Sequence, residues 1–254
     1  MKVLLTNDDG FGSAGITLLY EIVSELKFVS EIWIVAPSVD MSGCSRSLNL
    51  RKPIQVNCLG ERKYSVSGTP AECVILALNK IMNKKPDLIL SGINHGLNVG
   101  NDVSYSGTIA AAMEGTTLSI PSIALSQMYS SDHSQIKWES AKSFAPDIIS
   151  KLVATGWSKN IVINVNFPAG KVLGVKFVEQ GQHRMSSDSN YIENMGDNGP
   201  YVIRGDRVLI GSGDVDIVSK GFITITPLKL DFTDYDSLKI IENAFEKPQM
   251  YNHK

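Results

Sequence analysis

The sequence predicts an α/β fold in which a mostly parallel sheet lies between two layers of helices, a Rossmann-like three-layer sandwich. Short apolar runs alternate with stretches of helical periodicity as far as residue 165, which is typical of parallel strands joined by right-handed helical crossovers. Hydrophobic residues make up 43% of the 254 residues and charged residues 20%. This length and composition suit one large domain with a substantial core, to which a hairpin-rich C-terminal insertion is added.

The first elements along the chain are a strand, a helix and a second strand. Lys2–Thr6 is a short apolar run that ends at an Asn-Asp-Asp-Gly turn, and residues 31–36 form another, stopped by Pro37. Between them, Ile16, Leu19 and Val23 recur at helical spacing. The same alternation predicts the later elements: helix 71–82, strand 87–90, helix 109–117, strand 122–125, helix 136–154, strand 161–165, strand 221–226 and helix 235–245.

A turn-rich segment from residue 171 to residue 219 precedes the last two predicted elements. Gly, Asn and Asp cluster at 196–200 and 204–206 between short extended runs, as is typical of hairpins. We therefore expect an α/β core at 1–170 and 220–254 and a hairpin-rich insertion at 171–219. Because extended arms with exposed edges are liabilities unless they are paired, the insertion is expected to build an oligomer contact.

Charge and composition disfavour several classes of protein. With 24 Lys plus Arg against 26 Asp plus Glu, the net charge is -2, which disfavours binding along nucleic acid by counterion release. No apolar run approaches the roughly 20 residues that span a bilayer, and the short N-terminal apolar run does not fit a signal peptide. The three cysteines lack Cys-x-x-Cys spacing, as expected for free thiols in a reducing compartment. We expect a cytoplasmic protein without nucleic-acid or membrane partners.

Polar clusters follow three of the predicted strands, at the positions where open parallel sheets bind ligands. The first cluster is Asn7-Asp8-Asp9-Gly10. Adjacent carboxylates at the edge of a core repel each other and lose hydration, a cost that a bound Mg²⁺ or Mn²⁺ would offset. Since Asn, Asp and Gly also form ordinary turns, this tetrapeptide alone favours a turn and a metal site about equally.

The second cluster, residues 37–45, contains Ser42 beside Gly43. A hydroxyl next to a glycine can bind a hard cation or donate to a phosphate, but polar loops commonly contain such pairs. Taken alone, this cluster is weak evidence for a site.

The third cluster is the strongest, because a long Gly- and Asn-rich loop at 91–102 leads to a helix start at Ser106-Gly107-Thr108. Glycines let backbone N–H groups approach an anion, and a helix N-terminus carries partial positive charge, so these three residues are a candidate phosphate cradle. An ordinary Ser or Thr N-cap is the alternative. His95, within the loop, is a candidate to steer a phosphate or donate a proton. The loop is neither a Walker A loop nor a Gly-x-Gly-x-x-Gly fingerprint.

Other titratable residues have a structural interpretation. The remaining histidines stand in isolated polar contexts and are expected at the protein surface: His133, His183 and His253. An acidic run near the last predicted helix is expected to favour the start of that helix: Asp231, Asp234 and Asp236.

With these clusters, the chain resembles the SurE family of stationary-phase survival proteins. The matching segments keep the family's order: LLTNDDG at 4–10, VAP followed by a Ser-Gly at 35–43, SGTPAECV at 67–74, SGINHGLNVGNDVSYSGT at 91–108, AAAMEG at 110–115 and ITITPL at 223–228. Two positions depart from the family pattern. Ser-Val-Asp-Met precedes Ser42, where many relatives are more basic or amide-rich, and His95 stands where Arg is frequent. These departures leave substrate preference open.

The resemblance implies a divalent-metal-dependent phosphatase that hydrolyses nucleoside 5'-monophosphates, with side activity on 3'-nucleotides and polyphosphate. It implies a homodimer or homotetramer built through the C-terminal extension. It also implies one cation, Mg²⁺ or Mn²⁺, with the ligands Asp8, Asp9, Ser42 and Asn94. The candidate catalytic residues are Asp8, Asp9 and Asn94. The candidate substrate- and phosphate-binding residues are Asn7, Ser42, Gly43, Asn94, His95, Asn98, Ser106, Gly107 and Thr108.

Our mechanistic hypothesis is that the cation polarises a phosphoryl oxygen and activates a water, which Asp8 orients or deprotonates. The helix start at residues 106–108 then neutralises charge on the phosphoryl oxygens. Two alternatives remain open. One is an aspartyl-phosphate phosphatase, in which an Asp after the first strand is the nucleophile. The other is a nucleotide-binding regulatory module that uses the same cradle without turnover.

Overall fold

The computed structural model describes residues 1–130, 137–183, 192–194, 199, 201–203 and 210–246. The strands in chain order are β1 (Lys2–Thr6), β2 (Glu31–Pro37), β3 (Val56–Gly60), β4 (Lys63–Val66), β5 (Leu88–His95), β6 (Ser122–Gln127), β7 (Ile161–Phe167), β8 (Gly174–Phe177), β9 (Ile192–Asn194), β10 (Tyr201–Ile203) and β11 (Phe222–Lys229). The helices are α1 (Ala14–Ser24), α2 (Pro70–Leu76), α3 (Gly107–Thr117), α4 (Glu139–Thr155), α5 (Gly213–Ser219) and α6 (Tyr235–Glu246), with a π-helical turn at Ala77–Ile81 and a 3₁₀ helix at Gly100–Ser104.

Nine strands form the main sheet in the order β3-β4-β2-β1-β5-β6-β7-β11-β8. β1 lies between β2 and β5 and is parallel to both, and β5, β6 and β7 continue in parallel. Antiparallel pairs join β11 to β7 and β3 to β4. The predicted α/β fold with a mostly parallel sheet is therefore confirmed. The strand order changes direction at β1, the kind of position where open parallel sheets bind their ligands.

Helices cover both faces of the sheet, as the alternation of side chains along β1 shows. Val3 and Leu5 belong to a buried apolar cluster that includes residues of α1 and α4, whereas Leu4 packs with residues of α2 and α3. All three side chains are completely buried, and each such burial stabilises the fold by about 1.5–3 kcal/mol. The layers therefore hold the carboxyl end of β1 in a well-packed part of the molecule.

β5 is longer than the strand predicted at 87–90 and ends with Asn94 and His95. After an irregularity in the register, these two residues pair with Ser126 and Gln127 of β6. The local sequence predicts a loop here because glycine and polar residues interrupt the apolar run. Pairing with the far end of β6 overrides that signal, so two candidate site residues lie on a strand.

Other predicted elements are present with shifted bounds. α3 begins at Gly107, α4 begins at Glu139, and the helix predicted at 71–82 is α2 followed by the π-helical turn. The β3–β4 hairpin at the sheet edge is not predicted from the sequence. Most residues of β3 are exposed, and an exposed edge strand needs no continuous apolar run.

The segment 171–219 divides between the main sheet and a separate hairpin. β8 joins the main sheet in parallel with β11, and α5 packs Val215 against Val99. β9 and β10 form a two-stranded antiparallel sheet, as the turn-rich composition predicts. Both β8 and α5 are too short to show a clear periodicity, so the sequence alone groups them with the hairpin. Most residues of the turn signals at 196–200 and 204–206 lie outside the described residues.

Two further expectations concern the state of the cysteines and the presence of membrane-spanning helices. Cys44 is half-buried, Cys58 is exposed and Cys73 is buried, and all three are free thiols, as predicted. Within the described part of the chain, the helices are too short or too polar to cross a membrane.

Candidate active site

The loops that follow β1 and β2 and the end of β5 meet at one edge of the sheet. Met41, in the loop after β2, donates its backbone N–H to the Asp8 carbonyl at 2.8 Å. His95, at the end of β5, donates its backbone N–H to Asp9 Oδ2 at 3.2 Å. These contacts bring the three predicted polar clusters together around the Asp8–Asp9 pair.

Asp8 lies against the N-terminus of α3. The Asp8 side chain is buried, and the Thr108 hydroxyl donates a hydrogen bond to its Oδ1. Gly107 permits this approach, because a Cβ there would lie 2.8 Å from the Asp8 Cβ and 3.0 Å from its Oδ2. The partial positive charge at the start of a helix stabilises a carboxylate, and it equally stabilises a phosphate.

Burial raises the pKa of both carboxyls to about 6. For Asp8 the main cause is desolvation and the second is the charge of Asp9, while hydrogen bonds from Thr108 oppose the rise. For Asp9 desolvation again comes first, the His95 N–H opposes the rise, and the charge of Asp40 adds to it. Two ionised carboxylates in this environment are costly, and a divalent cation bound to both would remove that cost.

The four residues that the family resemblance implies as metal ligands all offer oxygen atoms, which suit a hard divalent cation. Asn94 donates its Nδ2 to the Gly96 carbonyl at 2.9 Å, which leaves its Oδ1 as the oxygen for a cation. Ser42 is exposed, and its hydroxyl donates to Asp40 Oδ1 at 2.6 Å. Among the residues that the structure describes, no three His, Cys, Asp or Glu side chains are grouped to hold a metal ion. The two adjacent carboxylates therefore need hydroxyl and amide oxygens to complete a ligand set, and such oxygens suit Mg²⁺ or Mn²⁺.

The Ser-Gly-Thr segment both caps α3 and borders the carboxylate pair. Ser106 is the N-cap, and its Oγ accepts the Ile109 N–H at 3.0 Å. Thr108 is completely buried, and its hydroxyl is bound to Asp8. What the segment can offer a phosphate is therefore chiefly the backbone N–H of Gly107 and the positive end of the helix.

The side-chain N–H groups of Asn7 and Asn98 are bound within the protein. Asn7 donates to the Gly10 carbonyl at 2.9 Å and to Ser13 Oγ at 2.8 Å. Asn98 donates to Ser126 Oγ at 2.8 Å, and its backbone is held by two asparagines of β7. Both residues are buried, so the structure places them where they shape the loops after β1 and β5. Asn7 Oδ1 has no hydrogen-bond partner among the described residues.

Two further candidate substrate-binding residues reach solvent. Gly43 is exposed and has a φ of +73°, a conformation that favours glycine. The His95 side chain is 35% exposed, with its Nδ1 3.7 Å from Asp9 Oδ1, and its ring centroid lies 5.3 Å from that of Trp138. Burial lowers the pKa of His95, against the raising effect of nearby aspartates. The imidazole is therefore a neutral hydrogen-bonding group near neutral pH.

Two residues next to the candidate site residues Asp9 and His95 are not identified from the sequence. Asp40 raises the pKa of Asp9 by its charge, and its place in the polar loop 37–45 is the signal that could identify it. Trp138 packs beside the His95 ring. No motif or spacing connects Trp138 to the site, because the contact depends on how α4 is placed by the fold.

His183 is not the solvated surface residue that its sequence context predicts. Its side chain is 6% exposed, and its Nε2 lies 3.5 Å from Asp102 Oδ2. A Cβ on Gly100 would lie 3.0 Å from the His183 Nδ1. The local sequence hides this burial because the contacts are made with the loop after β5. His133 and His253 lie outside the described residues.

Known proteins resemble this chain over nearly its full length. The family model described as "Survival protein SurE" matches residues 3–187. A 5'-nucleotidase SurE of Wolbachia pipientis wMel is 56% identical over 247 residues, which is 96% of each chain. A 5'-nucleotidase SurE of Ehrlichia ruminantium (strain Gardel) is 46% identical over 246 residues, 94% of this chain and 97% of that protein. The crystal structure of the SurE protein from Aquifex aeolicus matches with a TM-score of 0.81 at 33% identity, covering 97% of this chain and 100% of the other. The chain therefore belongs to the SurE family.

Proposed function

We propose that the protein is a 5'-nucleotidase, a phosphoric monoester hydrolase that acts on nucleoside 5'-monophosphates and uses one divalent cation. The observation that carries this proposal is the pair of buried side chains, Asp8 and Asp9, with the N-terminus of α3 directed at the first of them. A cation site and an anion site then lie side by side, as hydrolysis of a phosphate ester requires. The names of the Wolbachia and Ehrlichia relatives support the same reaction.

In this proposal the cation has the ligands Asp8, Asp9, Ser42 and Asn94. Bound Mg²⁺ or Mn²⁺ would neutralise charge on the phosphoryl group and lower the pKa of the attacking water. Asp8 orients or deprotonates that water, because its carboxylate lies between the other ligands and the start of α3. The start of α3 stabilises negative charge on the phosphoryl oxygens through the Gly107 N–H and the helix dipole.

His95 is proposed to influence which phosphates bind. Its imidazole is partly exposed next to Asp9, and a neutral imidazole forms single hydrogen bonds where an arginine would form a charged bidentate pair. Side activity on 3'-nucleotides and short polyphosphates is part of the same proposal, because the groups described at this edge of the sheet recognise a phosphoryl group.

A phosphate-release screen tests the proposal. Nucleoside 5'- and 3'-monophosphates and short polyphosphates are each assayed with Mg²⁺, with Mn²⁺ and with EDTA. We expect release from 5'-monophosphates that EDTA abolishes, and release that EDTA leaves unchanged would contradict the metal dependence. Calorimetric binding of nucleotide without release under any condition would favour the regulatory module. Trapping a phosphorylated Asp8 or Asp9 during turnover would favour the aspartyl-phosphate mechanism.

We also propose that the protein is a homodimer or homotetramer that associates through its C-terminal part. α6 leaves Leu238, Ile241 and Phe245 exposed by 50%, 55% and 85%, at a spacing that places them on one helix face. Analytical ultracentrifugation of the full chain and of an Ile241→Glu, Phe245→Glu double variant tests this. We expect a dimer or tetramer that the variant dissociates, and a monomeric wild-type protein would contradict the proposal.

A further inference from the structure

We propose that Asp214 is a positioning residue for the active site, because its carboxylate fastens α5 and the stretch 179–183 to the loop that leads into α3. This inference rests on the proposed function in one respect, namely that the start of α3 binds the phosphoryl group. Asp214 is separated in sequence from every candidate site residue, and no motif points to it.

Asp214 is completely buried, and one of its oxygens joins two segments of the chain. Its Oδ1 accepts the Gly100 N–H at 3.0 Å and the Gly181 N–H at 2.8 Å. Gly100 begins the 3₁₀ helix Gly100–Ser104, which is followed closely by Ser106, the N-cap of α3. The carboxylate therefore holds the chain just before the helix start that faces the catalytic carboxylates.

The same loop position is held by a second bond and by packing. Gln180 donates its Nε2 to the Gly100 carbonyl at 2.8 Å, so both backbone polar groups of Gly100 are bound by the later segment. Gly100 has a φ of +53°, and a Cβ there would lie 2.8 Å from Val215 Cγ2. The loop and α5 thus fit closely enough that a shift of one is transmitted to the other.

The later segment is closed on itself around Asp214. The Asp214 N–H donates to the Glu179 carbonyl at 3.1 Å, and the Ser212 N–H donates to the Gln182 carbonyl at 3.2 Å. A Cβ on Gly181 would lie 1.8 Å from the Ser212 carbonyl oxygen, so the two backbones are in direct contact. The segment that carries Asp214 is therefore held in place by backbone hydrogen bonds and by close backbone packing.

The two oxygens of Asp214 differ in a way that allows a sharp test. Oδ2 has no hydrogen-bond partner within the described part of the chain, and burial raises the pKa of this carboxyl. An asparagine keeps an oxygen that can accept the N–H groups of both Gly100 and Gly181. An alanine leaves the buried N–H groups of Gly100 and Gly181 without an acceptor, which is unfavourable.

The test compares phosphate release from a nucleoside 5'-monophosphate by Asp214→Ala, Asp214→Asn and Val218→Ala in the presence of Mg²⁺. Val218→Ala is the matched control, because Val218 packs in the same apolar cluster as Val99 and Val215 and its truncation loosens α5 while the bonds to Gly100 remain. We expect kcat/KM to fall at least about tenfold in Asp214→Ala, since small misplacements of catalytic groups have effects of about 100-fold. Asp214→Asn and Val218→Ala are expected to stay within about threefold of wild type.

Hydrogen exchange of the peptide that spans 97–108 gives a readout that does not depend on catalysis. We expect faster exchange there in Asp214→Ala and wild-type exchange in Asp214→Asn. If Asp214→Ala does not fold, Gln180→Leu, which removes the other bond to Gly100, takes its place in the same comparison.

Wild-type kcat/KM and wild-type exchange in Asp214→Ala would overturn the inference. So would an equal loss of kcat/KM in Val218→Ala at an equal loss of Tm, because loosened α5 packing would then explain the effect. A wild-type protein that releases no phosphate, but whose 97–108 exchange still responds to Asp214→Ala, would contradict the proposed function and leave the positioning role intact.

Discussion

Two acidic clusters of this chain look alike in sequence and differ in their surroundings. Asp8 and Asp9 stand at the buried end of β1, where desolvation is the first cause that raises each pKa to about 6. Asp231 and Asp234 stand exposed before α6, where hydrogen bonds from the first turn of the helix lower the pKa of both, that of Asp231 to about 2. The aspartate anion is thus poorly stabilised by the protein at the end of β1 and well stabilised before α6.

The difference teaches when a group of carboxylates indicates a cation site. Asp234 Oδ1 accepts the Ser237 N–H at 2.7 Å, so its charge is used in capping α6, which confirms the helix-start interpretation for Asp234. At Asp8 and Asp9 the hydrogen bonds of the protein are outweighed by burial. A pair of carboxylates favours a metal where the protein itself leaves the charge uncompensated.

Removing one negative charge from the Asp8–Asp9 pair is expected to lower phosphate release, and this is the largest effect that we predict. Asp8→Asn and Asp9→Asn should each lower phosphate release by more than about 100-fold, the upper range for residues that only support a metal ligand. Asp231→Asn and Asp234→Asn make the same chemical change in the exposed cluster and should keep wild-type rates. Steady-state release with Mg²⁺ measures all four variants. Near-normal rates in either β1 variant would show that the pair is not the metal site.

A methyl group at the start of α3 is expected to have the next largest effect. Gly107→Ala should lower kcat/KM by about 10–100-fold, because its Cβ would lie 2.8 Å from the Asp8 Cβ and push the helix start away. Gly12→Ala is the control, since no atom lies within 4 Å of a Cβ built there. Equal kcat/KM values in the two variants would show that the close approach of α3 to Asp8 has no role in catalysis.

The cation should stabilise the fold more at about pH 7.5 than at about pH 5. Because the pKa of Asp8 and of Asp9 is raised from 3.8 to about 6, the metal-free fold is most stable with both protonated and loses stability as pH rises from about 3.8 to about 6. A cation at 100 times its Kd then contributes about 2.7 kcal/mol, or a rise in Tm of about 5–10 °C for a chain of this size.

Calorimetry with Mg²⁺ and with EDTA at the two pH values measures this difference. Asp9→Asn supplies the control, since removing one charge should raise the metal-free Tm at the higher pH and reduce the gain from the cation. An equal gain in Tm at both pH values would contradict the account of the carboxylate pair.

The smallest predicted effect is on the hydrogen exchange of α6, when an aspartate of the exposed cluster before that helix is replaced. Asp234→Ala removes the N-cap of α6, which should make hydrogen exchange within Tyr235–Glu246 about fivefold faster. Phosphate release should not change. Asp236→Ala, in the first turn of the same helix, is the control. Wild-type exchange of α6 in Asp234→Ala would show that this carboxylate does not cap the helix in solution.

The parallel core could be predicted from the sequence because its central strands contain short apolar runs, such as 3–5 in β1 and 88–90 in β5. Asp8, Asp9 and the start of α3 could be identified because polar residues and glycines interrupt those runs where strands end. The burial of His183 and the place of Asn94 on β5 could not, since both depend on contacts with distant parts of the chain. The same holds for Asn98, whose side chain is bound to Ser126 in a buried polar network.

The order of strands at one end of the sheet constrains the chain while it is being synthesised. β11 pairs with β7 on one side and with β8 on the other, although β8 is made first. Until residues 222–229 leave the ribosome, β7 is an open edge and β8 has no neighbour to join in the main sheet. Unpaired strand edges are templates for aggregation. Chains truncated before β11 are therefore expected to aggregate, even though they contain all the residues of the carboxylate pair, its loops and α3.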